Sequence, residues 1–458
     1  MQSGGGGIDL KVVSPQFSFR MISIAHLIAV LILISRIYVP ISMTVLGSWP
    51  VRFLLFFLWY HLIVRAGGGK LRQFYRILRG RRAEMRWYTI WLLLLLLFVV
   101  VQSGEHSFTN GLLTAYIGTI PFYLLGSYYW INGGNKQNIT MALMVVVVVG
   151  ISSLQAIPVI WKNPHIVRVG LITANAEIRS LGIGSYGDFT GFAIVLPFLI
   201  TTSLSLQNKP FFRILGAASC FLILVLMMIS TLSGVLLLTA MALTSCTLYY
   251  MILGGVRFNR ILSVLVGILG IYLVAVQVFP SIYERKEFGF FYDKLRNTIL
   301  FAPEIVAGQE KDPTYRYGLM IRSLNLFLEN PVLGVGILPN EGGMPRTGGH
   351  SSWMDVFANY GLFGGIPYLL FHLLILRRLW KAWRSKRQNA LSWGCLTSCV
   401  FYIFYGFFNV TTQSTTIALF LYVTSACWQK PKALANDQPF LICRRANSWY
   451  KQKKDTIS

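Results

Sequence analysis

The chain has 458 residues, of which 55% are hydrophobic, 14% aromatic and only 12% charged, and its formal net charge is +25. Soluble domains carry about 25% charged residues, so an ordinary water-soluble protein is excluded. Runs such as 144–149 do not alternate apolar with polar positions, which excludes a transmembrane β-barrel and leaves an all-α, polytopic membrane protein with about twelve transmembrane helices.

Residues 1–20 are expected to form a cytoplasmic N-terminus with a glycine-rich start. The apolar stretch after Arg20 is too long for a signal-peptide core and lacks a small-residue cleavage pattern, so the first helix is expected to be retained. Nine spans are expected within 21–279, at 21–46, 52–65, 87–103, 111–131, 139–160, 186–204, 213–229, 234–253 and 261–279. A long external loop, 280–352, separates them from three more at 353–376, 391–409 and 415–428, and a basic cytoplasmic tail covers 429–458. No internal repeat is evident.

Lys and Arg orient this array. One face collects 28 of the 41 basic residues, including Arg65, the 66–86 loop and the run 377–387, against Asp9, Glu84, Asp437 and Asp455. The positive-inside rule makes that face cytoplasmic and puts both termini inside. The excess charge therefore reports orientation and anionic lipid, and nucleic acid is not expected as a partner. Arg36 and Arg52 are assigned to the other face, with Arg36 the only charge well inside a span. Cys220, Cys246, Cys395, Cys399 and Cys427 fall in spans and Cys443 in the tail, so no external disulfide is expected. Cys395 and Cys399 share a helix face without further ligands nearby, and are read as packing residues; no metal site and no cofactor are expected.

The long loop contains an amphipathic helix. Tyr317, Met320, Ile321, Leu324 and Leu328 recur every three or four residues, and the helix is expected to stop at Asn330-Pro331. Arg316 lies on one flank of the stripe beside Phe327, and Arg322 and Glu329 lie on the other. Both arginines could snorkel to lipid phosphates or bind an anionic ligand. After Gly334-Val335-Gly336, a Gly- and Pro-rich stretch leads to His350 at the start of the tenth span. His26, His61 and His372 are read as structural, and His106 and His165 stand alone in loops. His350 has two open readings, a helix cap together with Ser351 and Ser352, or a reactive imidazole. Asp355 is about 140° further around the helix and is not expected to orient His350 directly.

His350-Ser351, nine residues, Gly361 and then Gly364-Gly365 resemble the His-Asn/Ser-x9-Gly-x-x-Gly signature of the bacterial O-antigen ligase and O-antigen polymerase superfamily, which includes capsule and exopolysaccharide polymerases. The resemblance extends upstream to Arg316, a helix, Asn330-Pro331 and Gly334-x-Gly336, and a second external arginine is matched by Arg179-Ser180-Leu181-Gly182. One departure is plain. Where the family often has Ser-Arg-Gly or Ser-Arg-Ala on a short outer turn, this chain has Leu232-Ser233-Gly234.

The resemblance implies a metal-independent glycosyltransferase that uses a polyprenyl-pyrophosphate-linked donor. It joins undecaprenyl-pyrophosphate-linked oligosaccharide repeat units outside the membrane, as a polymerase. Two alternatives stay open, an O-antigen ligase that moves the glycan onto lipid A core and a lipid-linked oligosaccharide flippase. Partners implied are that glycolipid, membrane lipids, and a chain-length regulator and flippase of the same pathway. No sugar nucleotides exist outside the membrane, so the leaving group is an anionic lipid phosphate at headgroup depth. Arginine offers a permanently charged fork for it, which nominates Arg316, Arg179 and Arg322. His350 is nominated as base for the acceptor hydroxyl. Tyr315, Tyr317, Asp188 and Ser351 are candidate sugar or acceptor contacts, and Gly334, Gly336, Gly361 and Gly364 are the structural glycines.

Overall fold

The computed structural model describes residues 15–42, 44–66, 82–102, 111–132, 135–162, 166, 183–204, 210–229, 233–252, 316–336, 347–384, 390–412 and 414–425. Among them all regular structure is helical: α1 (Pro15–Ile37), α2 (Val39–Ser42), a 3-10 turn (Val45–Gly47), α3 (Trp49–Ala66), α4 (Arg82–Gln102), α5 (Gly111–Asn132), α6 (Asn135–Lys162), α7 (Tyr186–Leu204), α8 (Pro210–Ile229), α9 (Ser233–Ile252), α10 (Arg316–Glu329), α11 (Ser352–Arg384), α12 (Ala390–Phe408) and α13 (Ser414–Ser425). Seven of the described helices are long and apolar enough to cross a membrane, and Met21–Ile37 and Thr415–Ser425 are shorter apolar helices. The chain is a multi-pass membrane protein. Each expected span except 261–279 coincides with a helix; that one lies outside the described residues. The first is shorter than expected, since Pro40 has no N–H to continue the ladder of α1, and the chain turns through α2 and the 3-10 element instead.

Helix α7 is the axis of the bundle, packed by α6, α8, α9, α12 and α13 and buried along nearly its whole length. Lipid tails are as apolar as leucine, so helices in a membrane are held by close packing and not by exclusion from water. Small residues supply that closeness. A Cβ on Gly394 of α12 would come 2.8 Å from Phe198 Cα of α7, one on Gly191 of α7 would come 3.1 Å from Thr416 Cα of α13, and Gly150 of α6 lies equally tight on Ser219 of α8.

Glu84 and Arg378, both read from sequence as loop charges, lie on helices and are buried against each other. Helix α4 begins at Arg82 and α11 runs on to Arg384, which carries both residues inside. Arg378 Nε donates to Glu84 Oε1 at 2.6 Å, Tyr123 Oη donates to Glu84 Oε2 at 2.7 Å, and Arg378 Nη2 donates to the Thr424 carbonyl at 2.7 Å. Four helices, α4, α5, α11 and α13, are thereby tied at the end of the bundle away from His350. Removing one partner leaves a buried charge uncompensated, at a cost of about 3–5 kcal/mol. Glu84→Ala is expected to lower the melting temperature of detergent-purified protein, and Glu84→Gln with Arg378→Met to recover most of the loss.

The tenth span departs most from expectation. Gly361 interrupts α11 with φ 59° and ψ −160°. In a straight helix Trp353 would sit about 22 Å from Tyr368 and about 28 Å from His372. Instead the ring centroids are 4.8 and 5.3 Å apart. Phe357 lies against Gly365, and Tyr360 against Gly364, so the contacting pairs converge on Gly361. Residues 352–360 therefore fold back along 362–384. The membrane-crossing part is 362–384, about 34 Å long, and 352–360 is a re-entrant arm beside it.

Candidate functional site

The backbone break at Gly361 is repaired by the segment that follows α10. In an unbroken helix Leu362 and Phe363 would donate to the carbonyls of Ala358 and Asn359. Here Leu362 N–H donates to Pro331 O (2.7 Å) and Phe363 N–H to Val332 O (3.1 Å), while the freed carbonyls of Ala358 and Asn359 accept from Val335 N–H (2.8 Å) and Gly336 N–H (2.9 Å). Four backbone bonds are exchanged, which satisfies polar groups that a membrane environment could not. The exchange needs bare backbone at both partners. A Cβ on Gly361 would strike Val332 O, and one on Gly334 (φ 72°) would meet the Asn359 carbonyl at 2.5 Å. The spaced glycines of the sequence motif are thus the two halves of one splice.

That splice fixes α10 on the arm. Phe327 packs edge-on to Phe357 at 5.6 Å, and Ser323 Oγ donates to Asp355 Oδ1 at 2.7 Å. The amphipathic helix is anchored through this Ser323 and Phe327 flank, whereas Leu328 of the apolar stripe remains 64% exposed. Gly348 N–H donates to Ser323 Oγ at 2.9 Å, with Gly348 pressed on the Leu319 backbone.

His350 is half-buried and stands one residue before the N-cap of the arm. The cap is Ser351, whose Oγ accepts from Met354 N–H at 3.2 Å and donates to Gly406 O at 3.3 Å. Asp355 accepts from Gly349 N–H at 3.2 Å and from Ser351 N–H at 3.3 Å, the backbone N–H groups of the residues on either side of His350. It thus positions the histidine through the backbone on both sides. An aspartate one turn inside a serine cap is the sequence signal for that role.

Beneath the loop lies a neutral hydrogen-bonded plate that sequence reasoning missed. Asn409 Nδ2 donates to Tyr186 Oη (2.6 Å) and Tyr405 Oη (2.7 Å), whose hydroxyls are 2.8 Å apart. The Asn409 carbonyl accepts from Ser352 N–H, and Ser352 Oγ accepts from Thr411 N–H at 2.7 Å. Gly234, at the start of α9, lies against Tyr405 Oη. The ends of α7, α9, α11, α12 and α13 therefore meet at the His350 end of the bundle.

The other nominated residues divide as follows. Arg316 is the first residue of α10, one turn before Leu319 and two before Ser323 along the chain, and Tyr317 follows it in the same helix. Arg322 is exposed. The Asp188 carboxylate forms a capping box at the start of α7, accepting from Ser185 N–H at 2.6 Å and Ser185 Oγ at 2.9 Å. Arg179 and Tyr315 lie outside the described residues. His26 is bonded to Tyr129 at 2.8 Å, and His372 Nδ1 to the Tyr368 carbonyl at 2.7 Å, both inside the bundle. Among the described residues no group of three His, Cys, Asp or Glu side chains could hold a metal ion.

Residues 190–369 match the family model described as O-antigen ligase, a stretch that runs from α7 through α10 to the folded-back part of α11. No curated protein matches the chain.

Proposed function

We propose that this chain is a member of the O-antigen ligase and O-antigen polymerase superfamily and a polysaccharide polymerase acting on lipid-linked oligosaccharides, a reading supported by the match of residues 190–369 to the family model described as O-antigen ligase. The reading takes the membrane to be the bacterial cytoplasmic membrane, both chain termini to be cytoplasmic, and the His350 end of the bundle to face outward. The observation that supports it is the latch of Ser323 and Asp355, which ties α10, the helix that begins with Arg316, to the backbone on either side of His350.

In this reaction an acceptor-sugar hydroxyl attacks the anomeric carbon of the growing glycan. The new C–O bond forms as the bond to the polyprenyl pyrophosphate breaks, and the leaving group departs with the electron pair. His350 accepts the hydroxyl proton. Arg316 and Arg179 bind the pyrophosphate and stabilise its charge as it leaves, so neither a metal nor a strong general acid is required. Arg322, Tyr315 and Tyr317 are further candidates for contacts to the glycolipid. Asp188 and Ser351 act first as caps, which leaves them the weaker candidates for sugar contact.

The test is an assay of the purified chain with a defined lipid-linked repeat unit, EDTA in the buffer, and products resolved by length. A polymerase yields a ladder from the repeat unit alone. A ligase yields product only when lipid A core is added, and a flippase forms no glycosidic bond. Arg316→Lys is expected to reduce the rate by about tenfold or more, because an ammonium supplies a point charge and not a fork. Full activity of that variant would leave Arg316 as a lipid anchor only.

A further inference from the structure

A second pair of arginines lies between α1, α3 and α5, far from α10 in sequence. Arg52 is 5% exposed, and its Nε and Nη1 are buried without a hydrogen-bond partner. Among the described residues, the charge that acts on its guanidinium is another positive one, Arg36, from the last turn of α1. No Asp or Glu occurs anywhere in α1, α3 or α5, the helices that meet here. One face of the guanidinium is set over Phe122, with Cζ 6.0 Å from the ring centroid. Room is kept by Gly118, where a Cβ would come 3.0 Å from Nη2 and 3.3 Å from Trp49 Cβ.

A buried cation with unmet donors beside a second cation is costly by several kcal/mol unless an anion joins them. A simple snorkel does not describe it, because a snorkelling head reaches water and this one is enclosed. The pair also stands at a helix end, beside the turn that joins α1 to α3, where lipid phosphates lie. We propose that Arg36 and Arg52 form a binding site for the phosphate or diphosphate head of a membrane lipid, separate from the His350 site. Two lipids share that chemistry, a second polyprenyl diphosphate and an anionic phospholipid. Only the choice between them rests on the polymerase reading, since a polymerase handles two lipid-linked glycans at once.

The experiment uses the full chain in neutral detergent, with Arg316→Ala introduced so that the other expected diphosphate site is silent. Farnesyl diphosphate and dioleoylphosphatidylglycerol are the probes, read by native mass spectrometry and by the shift in melting temperature. One equivalent of probe is expected to bind, and adding Arg52→Met, or Arg36→Gln as a second variant, should weaken it by about tenfold or more. In anion-free micelles Arg52→Met should melt no lower than its parent, because it removes an uncompensated charge. Competition distinguishes the lipids: resistance of the diphosphate to phosphatidylglycerol assigns a polyprenyl substrate, and equal displacement assigns a phospholipid. Unchanged affinity in both variants, or no binding of either probe, overturns the proposal. A lower melting temperature of Arg52→Met with unchanged binding does so too, and makes Arg52 a structural partner of Phe122. Full activity of His350→Ala would sink the catalytic reading and leave this binding result standing.

Discussion

Alanine at position 350 is expected to stop glycan elongation while the protein still inserts and melts normally. The separation of effects follows from the local structure. Ser351 caps the arm, Asp355 holds the backbone N–H groups of Gly349 and Ser351 on either side of position 350, and neither function uses the imidazole. On the proposed mechanism the loss is that of the proton acceptor, and removal of a positioned general base lowers rates by about a hundred- to ten-thousandfold. The measurement is product length from a lipid-linked repeat unit, with melting temperature recorded in parallel. Chains of normal length from the variant would return His350 to the status of a loop residue.

Gly361→Ala is expected to be the most damaging small substitution in the described structure. Alanine at φ 59° and ψ −160° carries backbone strain of about 1–3 kcal/mol, and its Cβ also strikes Val332 O. Relief of that clash separates the 331–336 segment from the break, so that four backbone hydrogen bonds lose their partners, at about 1–3 kcal/mol for each group left unpaired away from water. The arm, the latch and the His350 loop should loosen together. A large fall in melting temperature with loss of activity is the expected result. Gly349→Ala is the control for strain alone, since its φ is 71° but nothing lies within 4 Å of the added carbon, and its fall in melting temperature should be much smaller. Equal falls for the two variants would mean that the splice adds nothing beyond φ.

Several elements were legible because they depend on local composition. A span of about twenty apolar residues announces itself, and the expected spans that fall on described residues coincide with helices. The amphipathic period from Tyr317 to Leu328 marked α10, and its stop at Asn330-Pro331 is where the helix ends. The same local logic misread charges near helix ends. Glu84 and Arg378 were counted as surface groups because each adjoins a basic run, yet 294 positions of sequence separate two residues that satisfy each other at 2.6 Å. Arg52, assigned to a face, is enclosed by a helix that does not adjoin it in sequence.

The motif glycines mark the same boundary. Spacing showed that Gly334, Gly336, Gly361 and Gly364 recur in a pattern; it could not show that the first two donate and shape a strap for the break that the third creates. A hydropathy window sees 353–376 as one span, because hydropathy is summed along the chain and is blind to one positive φ at its centre.

By itself, then, the sequence determined that this is a helical membrane protein and roughly where its helices run. Those properties are sums over neighbours in the chain, so they survive without a fold. Only the tertiary structure decided that the tenth span doubles back, that Asp355 grips the backbone N–H groups on either side of His350, that a neutral plate of Tyr186, Tyr405 and Asn409 lies beneath it, and that Arg52 is buried with another cation, Arg36, as its charged neighbour among the described residues. Each of these depends on backbone groups or charges brought together from distant parts of the chain, where the cost of leaving a polar group unpaired selects the partner.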